Sequence, residues 1–299
     1  MKHLKRTEIQ TELWDDCIEN STYSLPYAFS WYLDIICPSW SALVIEKNGQ
    51  YEACFPLPWR QKLGVKYVYP PFFIQQLGLF SRENMEAGEF VKTALTKYNW
   101  VELYVNPNTY HEGVVERCNL VLPLGNEQNE FYKNYSSNHK RNISKANKSE
   151  LKVKESNDFQ TTINLFQKNK GESLKHLKQE DYLKFSKLCN EAQVRKKLFV
   201  LEVVSSFQTV ICSGIFLKHN KRIIFLFSGN SEEGKKTAAL FFLLNHVVEL
   251  YQNQGYVLDF EGSENEGLQR FYKGFGARNE NYYFIQHKNL GFPLNLIKK

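Results

Sequence analysis

Apolar positions in this chain come in short runs whose period changes from one segment to the next. In residues 7–22, TEIQTELWDDCIENST, Ile9, Leu13 and Cys17 recur four apart with Trp14 beside them, the spacing of one helix face. AFSWYLDIIC predicts a second short helix, stopped by Pro38. SALVIEKNGQYEACFPLPWR differs: two apolar runs flank Asn48-Gly49, a pair that accepts the positive φ angles of a type I′ turn, so a β-hairpin is expected. GVKYVYPPF reads as a third strand, followed by FIQQLGLFS, a helix over about 83–98, and the strands WVELYVN and CNLVLPL.

The second half repeats this alternation. A basic segment leads to helices at about 157–169 and 179–192, and KKLFVLEVVSSFQTVICSGIFLKHN again places two apolar runs around a polar turn. Then come a strand at 222–228, a long helix over about 234–253, a strand at 256–260, a helix at about 265–273 and a last strand near 281–287. The unit at 222–260 has the length of a βαβ crossover, and its helix is apolar around most of its circumference, so Leu240, Phe241, Leu244, Val247 and Val248 are expected in the core. The two hairpins, each preceded by helical segments, suggest one plan used twice, as 1–124 and 125–299, divided at the polar stretch LGNEQNE. The fold class expected is α/β (α+β), two domains with mixed, largely antiparallel sheets flanked by helices.

Length agrees with two domains, since 299 residues exceed the size at which single cores stop growing, roughly 250. The longest apolar runs, AALFFLL and IIFLF, fall far short of the ~20 residues a spanning helix needs. The first residues, MKHLKRTEIQTELWDD, lack the apolar stretch of a signal peptide, so a cytoplasmic location is expected. Six cysteines occur without CxxC or CxxH pairing and the histidines without HxxH spacing, so no metal site is expected. The turn SGNSEEGKK departs from GxxxxGK[ST], and Glu232 and Glu233 would repel a phosphate there.

Charge is concentrated in one place. From Lys133 to Lys154 seven cations stand against Glu150 alone, which accounts for the whole net charge of +6. Ser136 or Ser137 starts a helix there, putting Arg141, Lys145 and Lys148 on one face and Ile143 and Ala146 on another. Arg141 and Lys145, with His139 near the helix start, are candidates for holding a phosphate, a solvated helix face being the alternative. In LDFEGSENEGLQRFYKGFGAR, Asp259 and Glu261 alternate with Leu258 and Phe260, so both acids are expected on the same side of the strand near its end. They are candidates for accepting a proton or binding an ammonium; otherwise Asp259 ties the turn and Glu261 meets solvent. Tyr69, Gln75 and Gln76, in an apolar stretch, suggest polar groups facing a groove or a satisfied core amide.

HKRNISKANKSELKV, then FSGNSEEGKKTAALFFLLNHVVELYQNQGYVLDFEG, then NEGLQRFYKGFGAR resemble, in order and spacing, the C-terminal domain of the FemABX-like acyltransferases, a branch of the GNAT superfamily. The first half resembles the N-terminal domain of the same group. The resemblance implies two tandem GNAT-like domains with a channel between them, and transfer of an acyl or aminoacyl group onto an amine of a cell-envelope (peptidoglycan) precursor or small metabolite. It adds Asn230, at the end of the strand before the long helix, as a substrate contact; Arg270, three before Lys273 on the helix after the acidic turn, extends the anion-binding role of Arg141 and Lys145 and is a further candidate for substrate contact. No tightly bound cofactor is implied; acyl-CoA or aminoacyl-tRNA is the co-substrate, and tRNA is a candidate partner. Where ordinary acetyltransferases carry an [RQ]xxGx[GA] loop for the CoA pyrophosphate this chain has EEGKKTAA, so the donor stays open. A non-catalytic module holding a phosphorylated ligand is the alternative, and oligomeric state is not legible.

Overall fold

The computed structural model describes residues 1–125, 131–169, 177–262 and 264–291. In chain order the first elements are β1 (Lys2–Lys5), α1 (Thr11–Glu19), α2 (Ser30–Ile36), β2 (Trp40–Lys47), β3 (Gln50–Lys62), β4 (Val65–Val68), β5 (Phe80–Ser81), α3 (Gly88–Lys97), β6 (Trp100–Val105) and β7 (Val115–Leu124). They are followed by α4 (Phe131–Asn134), α5 (Ser137–Lys148), β8 (Lys152–Ser156), α6 (Gln160–Asn169), α7 (Gln179–Val194), β9 (Leu198–Val204), β10 (Val210–His219) and β11 (Arg222–Asn230). The last are α8 (Glu232–Lys236), α9 (Ala239–Tyr251), β12 (Tyr256–Gly262), α10 (Glu266–Lys273) and β13 (Arg278–Lys288).

Two compact units result: Met1–Arg117 with the returning strand at 281–288, and Cys118–Glu280. In the first unit the strand order is β1-β2-β3-β4-β6-β13, with β5 on β3. In the second it is β8-β9-β10-β11-β12-β7. The two orders share one logic: antiparallel neighbours, then one parallel pair bridged by a helix, then an antiparallel closing strand. The parallel pair is β4 with β6 around α3 in the first unit and β11 with β12 around α9 in the second.

The closing strands explain why a division at 124/125 fails. β7 follows β6 in sequence, yet it pairs with β12 through Tyr256↔Leu124 and Leu258↔Leu122. β6 is instead covered by β13, the last strand among the described residues, through Tyr283↔Val105 to Lys288↔Trp100. Each unit thus takes its closing strand from the far side of the expected boundary; 126–130 of the proposed linker lie outside the described residues.

Local chemistry sets most elements. Asn48 and Gly49 adopt φ of 52° and 75°, forming the turn of the β2–β3 hairpin as expected. Ser136 caps α5, its Oγ accepting the His139 backbone N–H at 3.2 Å. The expected single helix over 234–253 is broken into α8 and α9 at Ala238, whose φ of 60° no helix interior accommodates. The core of the second unit collects Phe216, Leu243, Leu244, Val247, Leu258 and Phe275 between sheet and helices. Leu240 and Phe241 are only partly buried against it, correcting their expected place in the core. All six cysteines are reduced, and all but Cys118 are buried.

Gly274 is a point of close approach. A Cβ there would overlap the His139 ring, which is held by two hydrogen bonds and packed against Phe241, Phe271 and Phe275. The ring cannot retreat, so Gly274→Ala should lower unfolding free energy by about 1–3 kcal/mol in urea denaturation. A wild-type midpoint would mean that His139 is not fixed where it lies.

Candidate functional site

β11 and β12 run parallel for only three residue pairs, from Arg222↔Val257 to Ile224↔Asp259. Beyond Ile224, β11 stays paired to β10 as far as Asn230↔Cys212. β12 instead follows β7, and its register slips between Asp259↔Val121 and Gly262↔Asn119, Phe260 and Glu261 on one strand opposing Leu120 alone on the other. The strands therefore splay, and a cavity of about 410 Å³ occupies the opening.

Aromatic and aliphatic side chains make most of its wall: Phe166 from α6, Phe225 and Phe227 from β11, Leu240 from α9, Phe260 from β12 and Tyr272 from α10. Gly229 lets α6 approach, since a Cβ there would press on the α6 backbone at Thr162 and Phe166. Tyr272 stacks on Phe260 at 4.6 Å with the planes 13° apart. Burial, with a smaller contribution from the Glu261 carboxylate, pushes the Tyr272 phenol well above its usual range, so it keeps its proton at neutral pH. Polar groups in the wall are Asn169, Ser228, Asn230, Lys235 and Glu261.

The bulge decides the fate of the two acids. Glu261 takes φ of 59°, which breaks strand alternation, so Asp259 and Glu261 do not share a side. Glu261 is half-buried and lines the cavity. Asp259 is fully buried: its Oδ2 accepts from Arg222 Nη1 at 2.5 Å and its Oδ1 from the Glu261 backbone N–H at 2.8 Å. Arg222 Nη2 also donates to both oxygens of Glu280, at 2.8 and 3.0 Å. Asp259 thus clamps the bulge, a bracing role in place of the expected proton acceptor.

His139 is likewise structural. It is 3% exposed, its Nε2–H donates to the Phe271 carbonyl at 2.7 Å, and Nδ1 lies 2.8 Å from Ser136 Oγ. Burial lowers its basicity more than the carbonyl bond raises it, which disqualifies it as an anion anchor. Arg141 and Lys145 do face solvent, and with Lys140, Ser144, Lys148 and Ser149 they line a shallow depression on α5. That depression shares no residue with the cavity. Asn230 lines the cavity, its Oδ1 buried without a partner among the described residues. Arg270 is exposed on α10 and does not line it.

Tyr69, Gln75 and Gln76 belong to the first unit and are absent from this wall. The Tyr69 phenol is pushed up to about 12, chiefly by burial, under the Arg60 guanidinium 4.1 Å from its ring. Gln76 Nε2 donates to Gln75 Oε1 at 3.0 Å, while Gln76 Oε1 is buried without a partner among the described residues. Sequence reasoning passed over Phe166, Lys235 and Tyr272; the FYK triplet offered a signal for Tyr272, but no local pattern distinguishes a cavity phenol from a core one. Among the described residues no cluster of His, Cys, Asp or Glu could hold a metal ion, and no helix is long and apolar enough to cross a membrane.

No family model matches the chain, and no curated protein matches it either. Solved structures do. The structure of FemX superposes with a TM-score of 0.69 over 95% of this chain and 97% of that one, at 11% identity. A tandem GNAT protein from the clavulanic acid biosynthesis pathway gives 0.54 over 95% and 96% at 9% identity. L-PGS from Bacillus licheniformis gives 0.52 over 85% and 87% at 13% identity. At such identities the likeness is one of fold, and it extends over both units: the chain has the FemABX-like fold of two tandem GNAT-like domains.

Proposed function

We propose that this chain is an N-acyl or aminoacyl transferase whose reacting carbonyl sits in the opening between β11 and β12. The observation that carries the reading is the splay itself, with Glu261 and Tyr272 in its wall. Past Ile224 the edge of β11 facing β12 has no strand partner among the described residues, which leaves backbone groups able to meet a developing oxyanion. An ammonium near its ordinary pKa, about 10.4, has no lone pair, so the acceptor must lose a proton before or during attack. Glu261 takes that proton and passes it to solvent, the amine nitrogen bonds to the carbonyl carbon, and the bond to the donor's leaving sulfur or oxygen breaks. Glu261 then accepts the second proton that the nitrogen sheds as the amide forms. The Tyr272 O–H returns a proton to the leaving atom and is re-protonated from solvent.

The acceptor is an amine of a cell-envelope precursor or a small metabolite, and the donor an acyl-CoA or an aminoacyl-tRNA. Likeness in fold to FemX, L-PGS and a tandem GNAT protein supports this class. Incubating the protein with each donor and a panel of amines, followed by mass spectrometry, should yield an acylated amine. Binding of a donor without product under any pairing would favour the non-catalytic alternative.

The exposed face of α5 is the docking surface for the donor's phosphates. Arg141→Ala should weaken CoA or tRNA binding in titrations at low salt, and change stability by less than about 0.5 kcal/mol. Unchanged affinity would remove this role from Arg141.

A further inference from the structure

The first unit contains a separate cavity of about 320 Å³, near the lower end of the range for small-molecule pockets. Its wall joins the chain start (His3, Lys5, Arg6, Thr7) to the beginning of β2 (Trp40, Ser41), Trp59 of β3, Lys66 of β4 and Tyr98. The charges are unequal in their commitments. Arg6 is fully engaged by Asp34 through two bonds of 2.7 Å, and Asp34 Oδ1 also accepts the Trp40 indole N–H at 2.8 Å. The Glu8 carboxylate accepts the Lys5 backbone N–H at 2.7 Å. Among the described residues neither Lys5 nor Lys66 has a carboxylate within 4.0 Å, so two ammonium groups remain over. Lys66 Nζ rests 4.5 Å from the centroid of the Trp59 ring.

The polar part of the wall is built. Ser41, 3% exposed, links His3 Nε2 at 3.0 Å to the Tyr98 hydroxyl at 2.9 Å. Burial and neighbouring Lys97 lower the basicity of His3 against the pull of Glu8, so the imidazole is neutral near pH 7 and adds no charge of its own. One half-buried indole, Trp59, one phenol, two surplus ammonium groups and a fixed run of hydroxyl and imidazole line one cavity, while Trp40, 2% exposed and packed on Trp14 and Arg6, backs its wall. An apolar body without charge would leave the ammonium groups unpaired, and a bare anion would leave the exposed part of Trp59 uncovered.

We propose that this cavity is a second ligand site, for a small molecule consisting of a flat aromatic ring that carries an anionic group. The ring lies against Trp59, and the anion bridges Lys5 and Lys66. The proposal does not depend on the transferase reading, because no residue of the second unit takes part.

Phenyl phosphate is a suitable probe, with inorganic phosphate and phenol as controls, followed by tryptophan fluorescence and calorimetry on the full chain. Phenyl phosphate should bind at least about tenfold more tightly than either control. Lys66→Ala, at an exposed position, should weaken it about tenfold, and Trp59→Leu should weaken phenyl phosphate while leaving inorganic phosphate unaffected. Lys187→Ala, exposed on α7 and in neither site, should have no effect. The proposal is overturned if phenyl phosphate binds no better than inorganic phosphate, if Lys66→Ala leaves affinity intact, or if the loss follows Arg141→Ala instead.

Discussion

Replacing Glu261 by Gln is expected to lower acyl transfer by about 10²–10⁴-fold, the range by which a positioned general base accelerates a reaction. The amide keeps the shape of the carboxylate and its reach into the cavity but cannot accept a proton from an ammonium. Because Glu261 is half-buried at the cavity wall and Asp259, not Glu261, clamps the bulge, the thermal midpoint should move little. Donor affinity, measured on the variant without acceptor, should stay near that of the wild type. A variant that turns over at the wild-type rate would remove Glu261 from the chemistry, and one that unfolds early would make it a second brace.

Arg222→Met is expected to cost about 3–5 kcal/mol of unfolding free energy, because it strands the Asp259 carboxylate in a buried position with its cation gone. Arg222 joins two acids, Asp259 within β12 and Glu280 at the start of β13, and its side chain is 14% exposed. Adding Asp259→Leu to Arg222→Met should recover part of the loss, since a well-packed apolar pair avoids the desolvation of two charges. Urea denaturation of the single and double variants reads this coupling directly. A single variant within about 1 kcal/mol of wild type would mean that water reaches Asp259. The same substitution should also reduce transfer, because the Asp259 bond to the Glu261 backbone N–H helps fix the bulge that aims Glu261.

These two residues mark where local reading stopped. Period-two alternation put Asp259 and Glu261 on one side of a strand, and a regular strand would have done so. One extra residue opposite β7 undid it, sending Asp259 into an ion network and Glu261 into the cavity. The bulge arises from pairing with a strand more than 130 residues earlier, and nothing within LDFEG announces it. His139 was misread for a related reason: a histidine near a helix start looks like an anion ligand until Phe271 and Gly274, over 130 residues later, close around it.

The elements themselves were legible because they rest on neighbours in sequence. An Asn-Gly turn, a polar turn between apolar runs, a serine cap, four-residue apolar spacing and a βαβ length are local properties, and the hairpins, α5 and the β11–α9–β12 crossover follow from them. The two-unit plan, the cationic face of α5 and the FemABX-like resemblance were likewise present in residue order alone. Tertiary structure alone decided which strand closes each sheet, which acid faces the cavity and which histidine is buried. Those outcomes depend on hydrogen-bonded partners and packed rings far apart in sequence, and pairing over such distances leaves no periodic trace in the segments that it joins.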